Sequence, residues 1–304
     1  MPRHFHTISQ ADAETMAATR TFLKSMPGLA LAPETRPFFD DMIAQTPLAD
    51  GVDYEADTVG GVPGWWCRPK NTPTHGVILY LHGGGYVMGS AEAYRHPVGQ
   101  IAAKAKVSAF ALDYALAPER PFPAAFDEAL AAYDALVSRG YTRIAIAGDS
   151  AGGGLTLALA AFVSTYREVK PSALVAISPW VDMTASGESF VSRAAVDPML
   201  DRGKIIACAN AYLAGAAPED PRASPVFGNF SGLPPILIHV GDDEVLLDDS
   251  VRFAEQVERA GGVADLHVWE GMLHVFTSSI ATLEAAREAM GGIGSFLASA
   301  LRER

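Results

Sequence analysis

Ile144-Ala145-Ile146-Ala147-Gly148-Asp149-Ser150-Ala151-Gly152-Gly153 is the stretch on which the reading of this chain turns. An unbroken apolar run is wrong for a strand with one wet face, so 144–147 predicts a strand covered on both sides. The run 155–162 behind it predicts a helix. The glycine-rich segment is therefore a strand–turn–helix junction, and it fits G-x-S-x-G, the nucleophile elbow. A turn this sharp strains the backbone at Ser150, and flanking side chains would collide with neighbouring segments. The serine oxygen is left exposed at the carboxyl end of the strand, near the positive end of a helix dipole. A phosphate loop is the rival reading, but the lysine it requires is absent.

Outward from the elbow, the same punctuation repeats. Short apolar runs bounded by Gly, Pro or Asp predict strands at 57–59, 64–68, 77–81, 108–113, 144–147, 174–178, 236–240 and 266–269. Helical spacing lies between them, at 126–137, 250–259 and 282–301. The alternation predicts an α/β fold, a doubly wound and mostly parallel eight-stranded sheet. From 181 to about 233 it lapses, leaving one helix at 203–213 and a proline-rich run with Pro218, Pro221 and Pro225. In residues 1–50 a helix spans 9–24, stopped by Pro27-Gly28, and a second lies around 37–43. Phe38, Phe39, Met42 and Ile43 are too apolar for a solvated arm. The chain divides into an N-terminal cap segment, 1–50, and one catalytic domain, 51–304, with a cap insertion at about 181–233.

The 304 residues carry a net charge of −12 and no Lys/Arg cluster, which argues against nucleic acid or an anionic membrane surface as partner. Cys67 and Cys208 lack metal-ligand spacing and read as small buried hydrophobes. Residues 1–10 hold no apolar signal region, and no apolar run has the length of a membrane span. A cytoplasmic location is the simplest reading, and no metal or organic cofactor is implied.

Three further segments carry chemistry. His82-Gly83-Gly84-Gly85-Tyr86 follows the strand 77–81. Its glycines let backbone N–H groups turn toward one point, as an oxyanion hole requires, and Gly83, Gly84 and Ala151 are the expected donors. His82 reads as a hydrogen bonder that locks the loop. Trp269-Glu270-Gly271-Met272-Leu273-His274-Val275-Phe276 follows the last strand. Here His274 has the late position and loop setting of a general base, whereas His239 and His267 lie within strands and are expected in packed layers. The acid is open among Asp242, Asp243, Glu244, Asp248 and Asp249. Asp248 and Asp249 read as N-caps of the helix near 250, and Asp242 sits too close to the turn glycine.

These motifs, with Asp113-Tyr114-Ala115-Leu116-Ala117-Pro118-Glu119, resemble the hormone-sensitive lipase family of α/β-hydrolases, the bacterial type IV carboxylesterases with GDSAG at the serine. The resemblance runs over nearly all of 52–300 and implies a serine carboxylesterase acting on a small, fairly apolar ester or lactone. It places the acid at Glu244, where most members have Asp, with Asp243 the alternative. Ala115 stands where the family usually has Arg. Tyr86, Met88, Tyr94, Trp180, Met183 and Phe276 are candidate pocket walls, with core packing as the competing reading. Dimers are common in the family, but nothing in these residues fixes one. Two rivals are a ligand receptor on the same fold, as in plant gibberellin receptors, which His274 argues against, and an amide hydrolase.

Overall fold

In the computed structural model, residues 3–25, 30–70 and 76–302 are described. The expected helix stop at Pro27-Gly28 lies outside them. Among the described residues the strands are β1 (Arg3–His6), β2 (Val52–Val59), β3 (Val62–Pro69), β4 (Gly76–Leu81), β5 (Ser108–Leu112), β6 (Arg143–Asp149), β7 (Ala173–Ile177), β8 (Ile236–Gly241) and β9 (Ala264–Trp269). The helices are α1 (Gln10–Ser25), α2 (Arg36–Ile43), α3 (Ala91–Ala105), α4 (Ala124–Ser138), α5 (Ser150–Tyr166), α6 (Ser189–Ser192), α7 (Arg202–Leu213), α8 (Leu247–Arg259) and α9 (Glu284–Leu301).

One sheet holds all of these strands in the order β1-β9-β8-β7-β6-β4-β5-β3-β2. β2 and β3 are antiparallel to their neighbours, and every other pairing is parallel. β4, β7 and β8 are buried at every position, as continuous apolar runs demand of strands covered on both faces. Val77, Leu79, Ile144 and Ile146 pack into one layer with α4, α5 and α8, and Ile78, Tyr80, Ala145 and Val175 into the other with α3 and α9.

The eight expected strands are present, and β1 is a ninth. It pairs in parallel with β9, His4 opposite His267 and His6 opposite Trp269. Its four residues, Arg-His-Phe-His, carry no strand signal of their own, because the partner that orders them lies more than 250 residues away. α1 packs Met16 against Trp269, Met272, Leu273 and Phe276, and its Asp12 accepts the N–H groups of Glu284 and Ala285 at the start of α9, each at 2.8 Å. No helix among the described residues is long and apolar enough to cross a membrane.

Candidate active site

The chemistry-bearing segments converge because of strand order. β5 lies on one side of β4 and β6 on the other, so the chain reverses its direction of progress across the sheet at β4. Such a switch point opens a crevice at the carboxyl ends of the strands. Leu81 is paired with Gly148 in the register of β4 and β6. The glycine loop that follows Leu81 is thereby laid beside the turn that follows Gly148.

Ser150 occupies the left-handed region at φ 51°, a strained conformation for a residue with a side chain. Close packing holds it there. A Cβ on Gly152 would stand 2.0 Å from the carbonyl oxygen of Leu81, and one on Gly148 would stand 2.4 Å from that of Gly152. α5 therefore starts immediately against β4, and the N–H of Trp180 fixes the carbonyl of Ser150 at 2.9 Å.

From Ser150 a line of hydrogen bonds runs through three loops. The Ser150 Oγ lies 2.9 Å from Nε2 of His274, and His274 Nδ1 lies 2.8 Å from Oε2 of Glu244. A carboxylate only accepts, so Nδ1 carries the imidazole proton and Nε2 is left to accept from the serine hydroxyl. Glu244 is fully buried. Its other oxygen, Oε1, accepts from the Ser178 hydroxyl at 2.7 Å and the Gly241 N–H at 2.6 Å. The Ser178 oxygen in turn accepts the N–H of Val275 at 3.2 Å, so one residue steadies both the acid and the base loop. Burial pulls His274 toward the neutral form. The Glu244 hydrogen bond and charge outweigh it, with help from Asp197 and Asp149, and raise its pKa above the ordinary histidine value.

The remaining carboxylates of this loop are committed elsewhere. Asp242 pairs with Arg193 at 2.8 Å and Asp243 with Arg20 at 2.6 Å. Asp248 and Asp249 are not N-caps. α8 begins earlier, at Leu247, and both reach sideways to the insertion, Asp248 to the N–H of Ser189 and Asp249 to those of Val181 and Asp182. Glu244 reaches the imidazole from the turn that follows β8.

The three glycines of the loop differ in how their N–H groups are engaged. The N–H of Gly83 is taken by Oδ1 of Asp149, 3.1 Å away. Asp149 also accepts from the hydroxyls of Tyr80 and Tyr94, at 2.8 and 2.9 Å. Burial of this carboxyl pushes its pKa up to about 6 despite those donors. Gly84 and Gly85, at φ 112° and 64°, bond no acceptor among the described residues through their N–H groups. The Ala151 N–H belongs to the first turn of α5, where no intrahelical acceptor exists. His82 bonds the Gly83 carbonyl through Nδ1 at 2.7 Å and stacks on Tyr114, so it locks the loop.

The six candidate pocket walls are all buried side chains. Tyr86, Met88, Tyr94, Trp180, Met183 and Phe276 are each 3% exposed or less. Tyr94 donates to Asp149, Phe276 packs on Trp269, and Tyr86 stacks on Tyr212 of α7 at 3.8 Å. Large apolar side chains near a motif gain more by burial than by lining a wet crevice. Elsewhere, an open cleft of about 420 Å³ between the β2–β3 turn and the start of α4 contains none of Ser150, His274 and Glu244.

Sequence reasoning missed Ser178, Asp149 and Arg20. Ser178 could have been sought as the first polar residue after a buried strand. Arg20 carries no local signal. From α1 it donates to Asp243, to the Gly271 carbonyl at the root of the His274 loop (2.8 Å), and to the Val196 carbonyl of the insertion. Arg36, preceding Pro37 in α2, bonds the Val87 carbonyl at 2.8 Å and Glu119.

Comparison with known proteins places the fold in a family. Residues 78–278 match the alpha/beta hydrolase fold family. An acetyl-hydrolase of Streptomyces hygroscopicus is 39% identical over 248 residues, 81% of this chain and 83% of that protein. An esterase of Acinetobacter venetianus is 33% identical over 289 residues, 94% of this chain and 95% of the relative. The crystal structure of an esterase from the bacterial hormone-sensitive lipase family superposes with a TM-score of 0.90 at 38% identity, covering 97% of this chain and 99% of the other. Fold, motifs and relatives agree: the chain belongs to the hormone-sensitive lipase family of α/β-hydrolases and is a carboxylesterase.

Proposed function

We propose that the enzyme cleaves short-chain carboxylic esters or lactones through an acyl-enzyme on Ser150. The observation that carries this reading is the line Ser150–His274–Glu244, with hydrogen bonds of 2.9 and 2.8 Å. His274 Nε2 takes the hydroxyl proton as Ser150 Oγ bonds to the carbonyl carbon. Glu244 holds the tautomer that permits this and stabilises the imidazolium. The carbonyl oxygen becomes an oxyanion and accepts from Ala151, Gly84 and Gly85, the last replacing Gly83. One such donor is worth about 3–4 kcal/mol in the transition state. As the carbon–alkoxy bond breaks, His274 returns the proton to the leaving alcohol. The same base then activates water, and the acyl group leaves as a carboxylic acid while Ser150 regains its proton.

A small acyl group is supported by the insertion, which packs close to the glycine loop and leaves no room for a side chain there. Cys208 Sγ of α7 lies 3.0 Å from where a Cβ on Gly85 would be. The relative named an acetyl-hydrolase points the same way. In this reading the N-terminal segment and the insertion together form a cap, joined where Arg20 meets Val196.

Rapid mixing with p-nitrophenyl acetate, butyrate and octanoate tests the proposal. An initial burst of one p-nitrophenolate per active site marks the acyl-enzyme, and kcat/KM should fall from butyrate to octanoate. Linear release at all concentrations, or a rise with chain length, contradicts it.

A further inference from the structure

The outer edge of the sheet gathers histidines that the ester chemistry does not use. In register across three strands stand His4 on β1, His267 on β9 and His239 on β8. Asp265 precedes His267 by two residues and so shares its face, as His6 shares the face of His4. His4 Nε2 lies 3.0 Å and His267 Nε2 3.4 Å from the same oxygen, Oδ1 of Asp265. All three atoms lie within 4.8 Å of one another. Ligand atoms around a tetrahedral zinc ion, bound at about 2.0–2.1 Å, stand about 3.3 Å apart.

Two further observations separate this cluster from an ordinary surface ion pair. Asp265 Oδ1 is buried and makes no hydrogen bond, although two imidazole nitrogens are within reach. Second, Nδ1 of His267 is engaged by Nε2 of His6 at 2.8 Å, and His6 is stacked on Trp269 with centroids 3.9 Å apart. That outer contact fixes the ring and directs Nε2 toward Asp265, the arrangement by which a neighbouring hydrogen bond orients a ligating histidine.

We propose that His4, His267 and Asp265 bind a late first-row divalent cation, Zn²⁺ above all. Two imidazoles and one carboxylate suit zinc, copper or nickel and are poor for magnesium or calcium. The side chains of His4, Asp265 and His267 are 46%, 37% and 20% exposed, so water completes the coordination shell. The ion would clip the four-residue edge strand β1 to β9. β1 leads into α1, and α1 carries Arg20 to the loops of Asp243 and Gly271. Binding would therefore stabilise the seating of the N-terminal segment against the base loop without entering the crevice.

Calorimetric titration of untagged, chelator-treated enzyme with Zn²⁺, paired with thermal unfolding, tests this. Wild type should bind one ion in a saturable step that raises Tm. His4→Ala and Asp265→Asn should each abolish that step while retaining ester hydrolysis in the absence of zinc, which shows that they fold. His6→Phe keeps the stack on Trp269 but loses the hydrogen bond, and should weaken binding about tenfold or more. Absence of saturable 1:1 binding in wild type overturns the proposal. So does binding that His4→Ala and Asp265→Asn leave unchanged.

Discussion

The carboxylate of Asp149 holds the N–H of Gly83, and the residue preceding Ser150 thereby anchors the loop opposite it. This 3.1 Å contact couples the two halves of the crevice, since Asp149 ends β6 and Gly83 follows β4. Its Oδ2 rests on Tyr94, so the anchor is itself fixed by a third element, α3.

Replacing Asp149 by Ala should release the glycine loop. Misplaced oxyanion donors lower the transition state's share of binding, so kcat should fall about tenfold to a hundredfold with KM nearly unchanged. Steady-state kinetics on p-nitrophenyl butyrate check this. A change confined to KM would place the role of Asp149 outside the chemical step.

The pH profile should identify the acid. His274 works as a base only when neutral, and its raised pKa sets the acid limb of kcat/KM above the ordinary histidine value. Glu244→Gln removes the group that raises it, so the limb should move to lower pH while the plateau falls at least a hundredfold, by analogy with triads deprived of their acid. Asp243→Asn should leave the limb in place, because Asp243 faces Arg20 and not the imidazole. The opposite pattern would transfer the role to Asp243.

How far these roles could be read before the fold was known differs from residue to residue. Ile144–Ala147 and Ile236–Val240 announce themselves because a strand covered on both faces has no polar positions. The meeting of Ser150 with His274 is legible from order and context, since a strained turn needs its glycines and a base of this fold is expected late in the chain. That Asp149 claims the N–H of Gly83 and leaves those of Gly84 and Gly85 without an acceptor among the described residues is not legible. Three identical residues differ only in φ and ψ, and the acceptor that claims Gly83 is set by the pairing of Leu81 with Gly148. β1 and Arg20 are silent for a related reason, since their partners come from the far end of the chain. Aromatic residues such as Tyr94 were open to either reading, because lining a pocket and filling a core draw on the same side chains.

Arg20 should matter beyond its surface position. Arg20→Met removes donors to Asp243, Gly271 and Val196 and leaves the Asp243 carboxylate without its cation. Unfolding stability should drop by about 1–2 kcal/mol, with partial exposure limiting the loss, and kcat by a few-fold. Denaturant midpoints and kcat measured together check this. An unaltered midpoint and kcat would mean that α1 docks without it.

Asp249 supplies a pH dependence of stability. Fully buried beneath the insertion, its carboxyl is pushed up to about 8, with burial the largest cause. In the unfolded chain it ionises near 3.8. Between those values the native state binds more protons than the unfolded one. Stability from this group is therefore present at low pH and lost as pH rises toward 8, by up to about 1.4 kcal/mol per unit. Asp249→Asn stays neutral in both states. Its unfolding free energy should be flatter than wild type between pH 5 and 8, and its relative stability should improve with pH. Parallel curves for the two proteins would contradict the assignment.

The most direct test of the account is covalent capture of the nucleophile. The enzyme is incubated with an organophosphate, digested and mapped by mass spectrometry, alongside Ser150→Ala assayed on p-nitrophenyl butyrate. One label per chain on Ser150, and loss of nearly all activity in the variant, are the predicted results. An unlabelled Ser150, with the variant hydrolysing at the wild-type rate, would contradict the central claim.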